Sequence, residues 1–152
     1  MRVDKRLLWL GAAVYAVAWF LPVIKDGPTL AQGELPGWIA FRVAVAPVWP
    51  VEGVHNDSVF EAVLSTASGL TNLLVPLSLV ALVGPQAANR GRKLCLALLF
   101  AAAVNSSWFV LSDNRGELRI GYYVWFAAFL ILAVAAFRAF RSAARVPAEN
   151  SA

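Results

Sequence analysis

The sequence is poor in the residues that carry redox and metal chemistry. Its 152 residues include one cysteine, Cys95, and one histidine, His55. A lone thiol excludes an intrachain disulfide and a dithiol relay run by this chain alone. Cys95 opens an apolar run and reads as a small buried hydrophobe, not a reactive thiol. His55 lies among Glu52, Asp57 and Glu61 in a polar stretch. One imidazole beside carboxylates makes a weak metal site, so the stretch reads as a solvated turn. No nucleophile with an orienting partner stands near His55 in sequence, so a general base there would have nothing to activate. Neither an enzyme nor a bound cofactor is expected.

Charge is scarce as well, at 14% of residues, where soluble domains carry about 25%. The deficit is concentrated. No Asp, Glu, Lys, Arg or His falls within 7–24, 62–84, 94–111 or 120–137. Each run is long enough to cross a bilayer as a helix, because roughly 18 residues rise about 27 Å. A composition of 60% hydrophobic residues and a mean hydropathy of +0.66 agree with that assignment. Spans without an ionisable group argue against a proton-coupled transporter. Small multidrug-resistance transporters share a four-helix plan but depend on a glutamate in the first helix, where this chain has none. The net charge of +4 and pI near 9.7 do not imply a nucleic-acid partner. The basic residues sit beside the apolar runs and form no stripe interleaved with exposed aromatics.

The placement of those basic residues predicts a topology. Nine of the thirteen Lys and Arg residues lie in the 1–6 lead, the 85–93 turn and the segment after 137. Four spans would put all three segments on one side, and the positive-inside rule makes that side the cytoplasm. The expected protein is all-α: a single integral domain over 1–152, folded as a four-helix transmembrane bundle of the bacterial cytoplasmic (inner) membrane. Both termini would be cytoplasmic, with 146–152 a disordered tail. A basic lead before an apolar run is also the format of a signal peptide. The 7–24 run is long for one and no clear A-x-A site follows it, so the first span is expected to be retained.

The outer connection, 25–61, is acidic and contains a stretch too short to span and too apolar for a free loop. Pro36 could open a helix there and Pro47 would close it. Trp38, Phe41, Val45 and Trp49 would share its face, with Arg42 snorkelling outward. Alternation of Ile39, Phe41, Val43 and Val45 also fits a strand; a short interfacial helix is the preferred reading.

Within the spans the polar residues follow a pattern. Ser65, Ser68, Gly69 and Asn72 lie on one helical stripe with Pro76, opposite Val63, Leu70, Leu74 and Leu77. Asn72 and Asn105 each need a partner, because lipid offers no hydrogen bonds. They read as interhelical glue, with a polar ligand site as the alternative. Trp108, Tyr122, Tyr123 and Trp125, joined by Trp38, Phe41 and Trp49 from the connection, form a candidate outer aromatic surface. Anchoring at the headgroup level already accounts for them.

Disulfide-forming quinone enzymes, vitamin K epoxide reductases and claudins are excluded by their need for paired cysteines. Leu118-Arg119-Ile120-Gly121-Tyr122-Tyr123-x-Trp125 and the aromatic, proline-bearing outer connection resemble the loose set of uncharacterised bacterial four-span inner-membrane proteins. That resemblance implies the architecture and carries no activity or functional residues with it. The expected role is a non-enzymatic assembly or accessory subunit, bound to the bilayer and to a membrane-protein partner or a second copy of itself. The alternative is a binder or carrier of a small lipophilic molecule through an outward aromatic pocket.

Overall fold

Helix forms within every apolar run, but proline and side-chain hydrogen bonds reset most of the boundaries. The computed structural model describes residues 5–25, 33–54, 58–84, 87–111 and 117–144. The His55–Asp57 turn and the 146–152 tail therefore lie outside the described residues.

The first helix, α1 (Lys5–Ala18), is 14 residues long and stops short of the expected end at 24. Pro22 has no N–H and pushes Leu21 out of the helical region. Val23 and Ile24 are β-branched and suit a strand. The chain therefore turns at Trp19–Phe20 and runs into β1 (Pro22–Lys25), antiparallel to β2 (Glu34–Pro36), with Ile24 opposite Leu35 and Lys25 opposite Glu34. Ile24 also bridges to Leu118, and the Arg119 N–H donates to the Val23 carbonyl at 2.9 Å. This small sheet is absent from the sequence reading.

Helix α2 (Gly37–Ala44) follows directly. It is the short helix expected between Pro36 and Pro47. Its first N–H groups, which no helix satisfies internally, find acceptors past the end of α1. Gly37 N–H donates to Leu21 O and Trp38 N–H to Trp19 O, both at 3.1 Å. Only glycine permits this approach, since a Cβ on residue 37 would lie 2.5 Å from Ala18 O.

The second apolar run, expected as one helix over 62–84, keeps its helical course over Val59–Val83 but tightens locally at Asn72–Leu73, where both residues stay right-handed and bond three residues back. Helix α3 (Val59–Thr71) starts at Ser58, whose hydroxyl accepts from Glu61 N–H at 3.1 Å, a cap at the spacing of the capping box. Helix α4 (Leu74–Val83) begins after the tightened turn at Asn72–Leu73. The tightening comes from Pro76, which supplies no N–H to Asn72 O four residues back and crowds that carbonyl with its ring. Together the two pieces remain long and apolar enough to cross a membrane.

Helix α5 (Ala87–Ser106) starts before the third run and takes Arg90, Arg92 and Lys93 into its first turns, where a loop was expected. It ends where Ser106 and Ser107 turn their hydroxyls back onto Ala103 O and Val104 O, at 2.8 and 2.6 Å. A turn at Ser107 separates it from α6 (Trp108–Leu111), so the expected 94–111 span is not one helix. Helix α7 (Ile120–Ala144) runs unbroken for 25 residues, past the expected end at 137. It too is long and apolar enough to cross a membrane.

Helix α7 is the centre of the packing, with α5 on one flank and α1 on another. Alanines and glycines allow the close approach: Ala128, Ala135 and Ala136 are fully buried beside Phe129 and Leu132. A Cβ on Gly91 of α5 would meet Ala136 O at 2.7 Å, and one on Gly11 of α1 would meet the Leu132 side chain at 2.8 Å. Large apolar residues are also exposed along the helices, among them Leu77, Val80, Phe100 and Val134, while the exposed cations lie at helix ends, as Lys5, Arg6, Arg90, Arg92, Arg138 and Arg141.

Candidate functional site: a neutral polar network and a lateral cleft

The tightened turn before Pro76 creates the site. It leaves Asn72 O facing the Tyr15 hydroxyl of α1 at 3.3 Å, with Val75 N–H at 3.2 Å as its local donor. The Asn72 side chain is buried and fully engaged. Its Nδ2 donates to Ser68 O at 3.3 Å and Gly69 O at 3.0 Å. Its Oδ1 accepts from the Trp125 indole N–H of α7 and lies 3.4 Å from the Tyr15 hydroxyl. One phenolic proton is thus shared between the two oxygens of Asn72.

Asn105 of α5 is the second node. Its Oδ1 accepts from the Ser68 hydroxyl at 2.7 Å, and its Nδ2 donates to Thr71 Oγ1 at 3.0 Å and Ala101 O at 2.8 Å. The Tyr122 hydroxyl of α7 donates to Asn105 O. Ser68 joins the two nodes, because its carbonyl serves Asn72 and its hydroxyl serves Asn105. A primary amide has two donor protons and an oxygen with two acceptor positions. Asn72 has a partner at each, and Asn105, the other node, is neutral as well. Every side-chain donor of the network is engaged, whereas Asn105 Oδ1 and the Ser68 and Tyr122 hydroxyl oxygens keep an acceptor position.

The outer part of the polar stripe is occupied as well. The Ser65 hydroxyl donates to Ala44 O at 3.0 Å, and Gly69 lies under Val45, with a Cβ there only 2.7 Å from Val45 Cγ1. Ser65, Ser68, Gly69 and Asn72 are therefore covered by α2, α5, α1 and α7 of the same chain.

The seven outer aromatics do not form one surface. Tyr122 and Trp125 are buried, and Phe41 and Trp108 pack partly buried against the core. Trp38, Trp49 and Tyr123 stay exposed, at 50%, 62% and 46%. Two ring clusters result. Tyr15, Trp19, Phe41 and Trp125 stack edge-on or tilted with centroids 5.4 to 6.1 Å apart. Phe109, Tyr122, Tyr123 and Phe126 form the other, near the start of α7.

Tyr15 and Thr71 were missed from sequence. Tyr15 could have been found, because it shares a helical face with Gly11 and Ala18, spaced for packing on another helix. Thr71 gave no comparable signal.

Beside the first ring cluster lies a partly open cleft of about 250 Å³. Ala12, Tyr15 and Trp19 line it from α1, Pro76 and Leu79 from α4, and Phe41 from α2, with Asn72 contributing as well. Asn105 does not reach it. Its volume is a little below the usual range for small-molecule pockets, about 300 Å³ and upward.

Arg42 stands apart from these groups. Its guanidinium carbon lies 3.9 Å from the centre of the Trp49 ring. Its Nη1 is shielded from solvent without a hydrogen-bond acceptor, the one such side-chain atom among the described residues. No cluster of His, Cys, Asp and Glu among the described residues is suited to hold a metal. No protein-family model, curated protein or solved structure matches this chain.

Proposed function

We propose that the chain is a four-span integral protein of a bacterial cytoplasmic membrane, with both termini on the cytoplasmic side. Its role is to bind a small lipophilic molecule in the cleft between α1 and α4. The observation that supports the membrane reading is the inverted polarity of the fold. Hydrogen-bonding side chains pair with one another inside, while large apolar side chains face outward. α1, α3–α4, α5 and α7 would be the spans, with α2 and the small sheet on the outer side.

Cysteine labelling tests the topology in a Cys95→Ser background. Glu52→Cys should react with a membrane-impermeant maleimide from outside, and Asn89→Cys only after the inner membrane is opened. Labelling of both from outside would rule out four spans.

The cleft carries the binding reading, because it is apolar, aromatic on one wall and open to the side of the fold. A second reading, assembly with a membrane partner, draws on the exposed Trp38, Val48 and Trp49 of the outer segment. The polar stripe no longer favours it, since the chain itself covers that stripe. Purification in mild detergent with mass spectrometry of everything retained separates the two. A retained lipophile supports binding, a stoichiometric second protein supports assembly, and recovery of the bare chain counts against both.

A further inference from the structure

We propose that the exposed seam between α5 and α7 binds an anionic phospholipid, with its phosphate held between Arg92 and Arg141. The proposal rests on the four-span reading, which the cysteine labelling tests separately, and it is independent of the cleft. The two helices run antiparallel, since Gly91 meets Ala136 at one end and Asn105 meets Tyr122 at the other. At Gly91 they touch backbone to backbone: a Cβ there would lie 2.7 Å from Ala136 O and 2.9 Å from Phe140 N. Arg92 follows this point of contact on α5, and Arg141 follows it on α7. Because the chains run in opposite directions, one further step of about 100° turns both side chains to the same side of the pair. Both are exposed. The Arg141 guanidinium lies 5.7 Å from the centre of the Phe137 ring, so its side chain reaches back along α7.

Below the two cations the same side continues as hydrocarbon. Leu96 and Leu99 of α5 and Leu130 and Phe137 of α7 are all exposed there. Neither arginine has an acidic partner among the described residues. The described acids, Glu34, Glu52, Glu61 and Glu117, belong to the outer segment and to the approaches of α3 and α7, at the other end of the molecule. Two guanidinium groups beside one seam repel each other, and a phosphate between them gives each a matching pair of acceptor oxygens. The occupant therefore needs an anionic phosphate at one end and an apolar chain along the rest. An anionic phospholipid of the cytoplasmic leaflet has that make-up, and a headgroup without a cation of its own leaves the whole charge to the arginines. Arg90, two residues before Arg92, points to the opposite side of α5 and takes no part.

The test uses full-length protein, stripped of lipid in nonionic detergent and titrated by native mass spectrometry, which counts bound molecules. The probes are phosphatidylglycerol, phosphatidylcholine with the same chains, and sodium phosphate as a competitor. Phosphatidylglycerol should bind more tightly than phosphatidylcholine, and sodium phosphate should not displace it. Arg92→Gln and Arg141→Gln should each weaken phosphatidylglycerol by about fivefold, the worth of one cation near an anionic headgroup. Both should leave phosphatidylcholine unchanged. Arg90→Gln removes the same charge away from the seam and should leave phosphatidylglycerol binding intact. Arg92→Lys, which keeps the charge, should retain most of the affinity, and circular dichroism checks that each variant is folded.

An equal loss in Arg90→Gln and Arg92→Gln would overturn the proposal, by showing a general attraction of the basic end and not a site. Equal affinity for the two lipids would overturn it too, since charge would then play no part. Displacement by sodium phosphate would show an anion site to which the apolar strip contributes nothing, and would overturn it as well.

Discussion

The polar network around Asn72 and the outer segment from β1 to Trp49 are held by opposite means. The network is built from neutral groups, and its amides find partners on α1, α3, α5 and α7. The outer segment is held by backbone hydrogen bonds at close glycine contacts and by one exposed ion pair, and it leaves a guanidinium nitrogen without an acceptor. Neutral groups can be satisfied within a few turns of helix, since each carbonyl offers a second lone pair. A charge needs a countercharge, and the described residues supply none to Arg42. The network is therefore closed on itself, while the segment around α2 keeps one charged donor without an acceptor among the described residues.

Three substitutions sharpen the contrast. The largest effect belongs to the outer segment. Gly37→Ala sets a methyl against the Ala18 carbonyl, and neither backbone can yield without losing the bonds at Trp19 and Leu21. A loss of about 3 kcal/mol is expected, at the upper end for overpacking, read as reversible unfolding in detergent with rising denaturant. Asn72→Ala comes next. It strands the Trp125 indole N–H and removes one acceptor of Tyr15, for a loss of about 2 kcal/mol. The change in Trp125 emission should accompany that loss; an unaltered stability would show that the network does not hold the helices. The smallest effect is Arg119→Gln, because Arg119 and Glu34 are 28% and 49% exposed. It should cost about 0.5 kcal/mol and vanish in high salt.

How much of this could be read beforehand depends on the distance over which each feature is determined. The apolar runs announced helices, and Pro36 and Pro47 bracketed the short helix α2 correctly. Ser65, Ser68, Asn72 and Asn105 were legible as polar residues in need of partners, and Ser68 does meet Asn105. The tightening at Asn72 was also written in the sequence, four residues before Pro76, but reading Pro76 as a member of the stripe concealed its effect on the backbone. The small sheet was not legible. β1 begins inside the 7–24 apolar run, with no charge to mark the change, and its bonds to Leu118 and Arg119 cross most of the chain. Nor could the Trp49 stack be seen, because it depends on the turn after α2 folding back over Arg42. The burial of Trp125 came from tertiary packing alone, since its sequence neighbours Tyr123 and Tyr122 differ from each other in exposure.

The bond between Arg119 and Glu34 joins residues 85 positions apart. A chain is made from its N-terminus onward, so β1 and β2 are synthesised long before Leu118 and Arg119 exist. For that interval Ile24 has Leu35 on one side and an unpaired strand edge on the other, the kind of edge that recruits foreign chains. Closure of this β1 edge must therefore wait for the segment that leads into α7. A chain halted before residue 118 would lack the partners that Leu118 and Arg119 give this strand in the finished fold, which makes the order of synthesis, and not only the finished contacts, part of how β1 is closed.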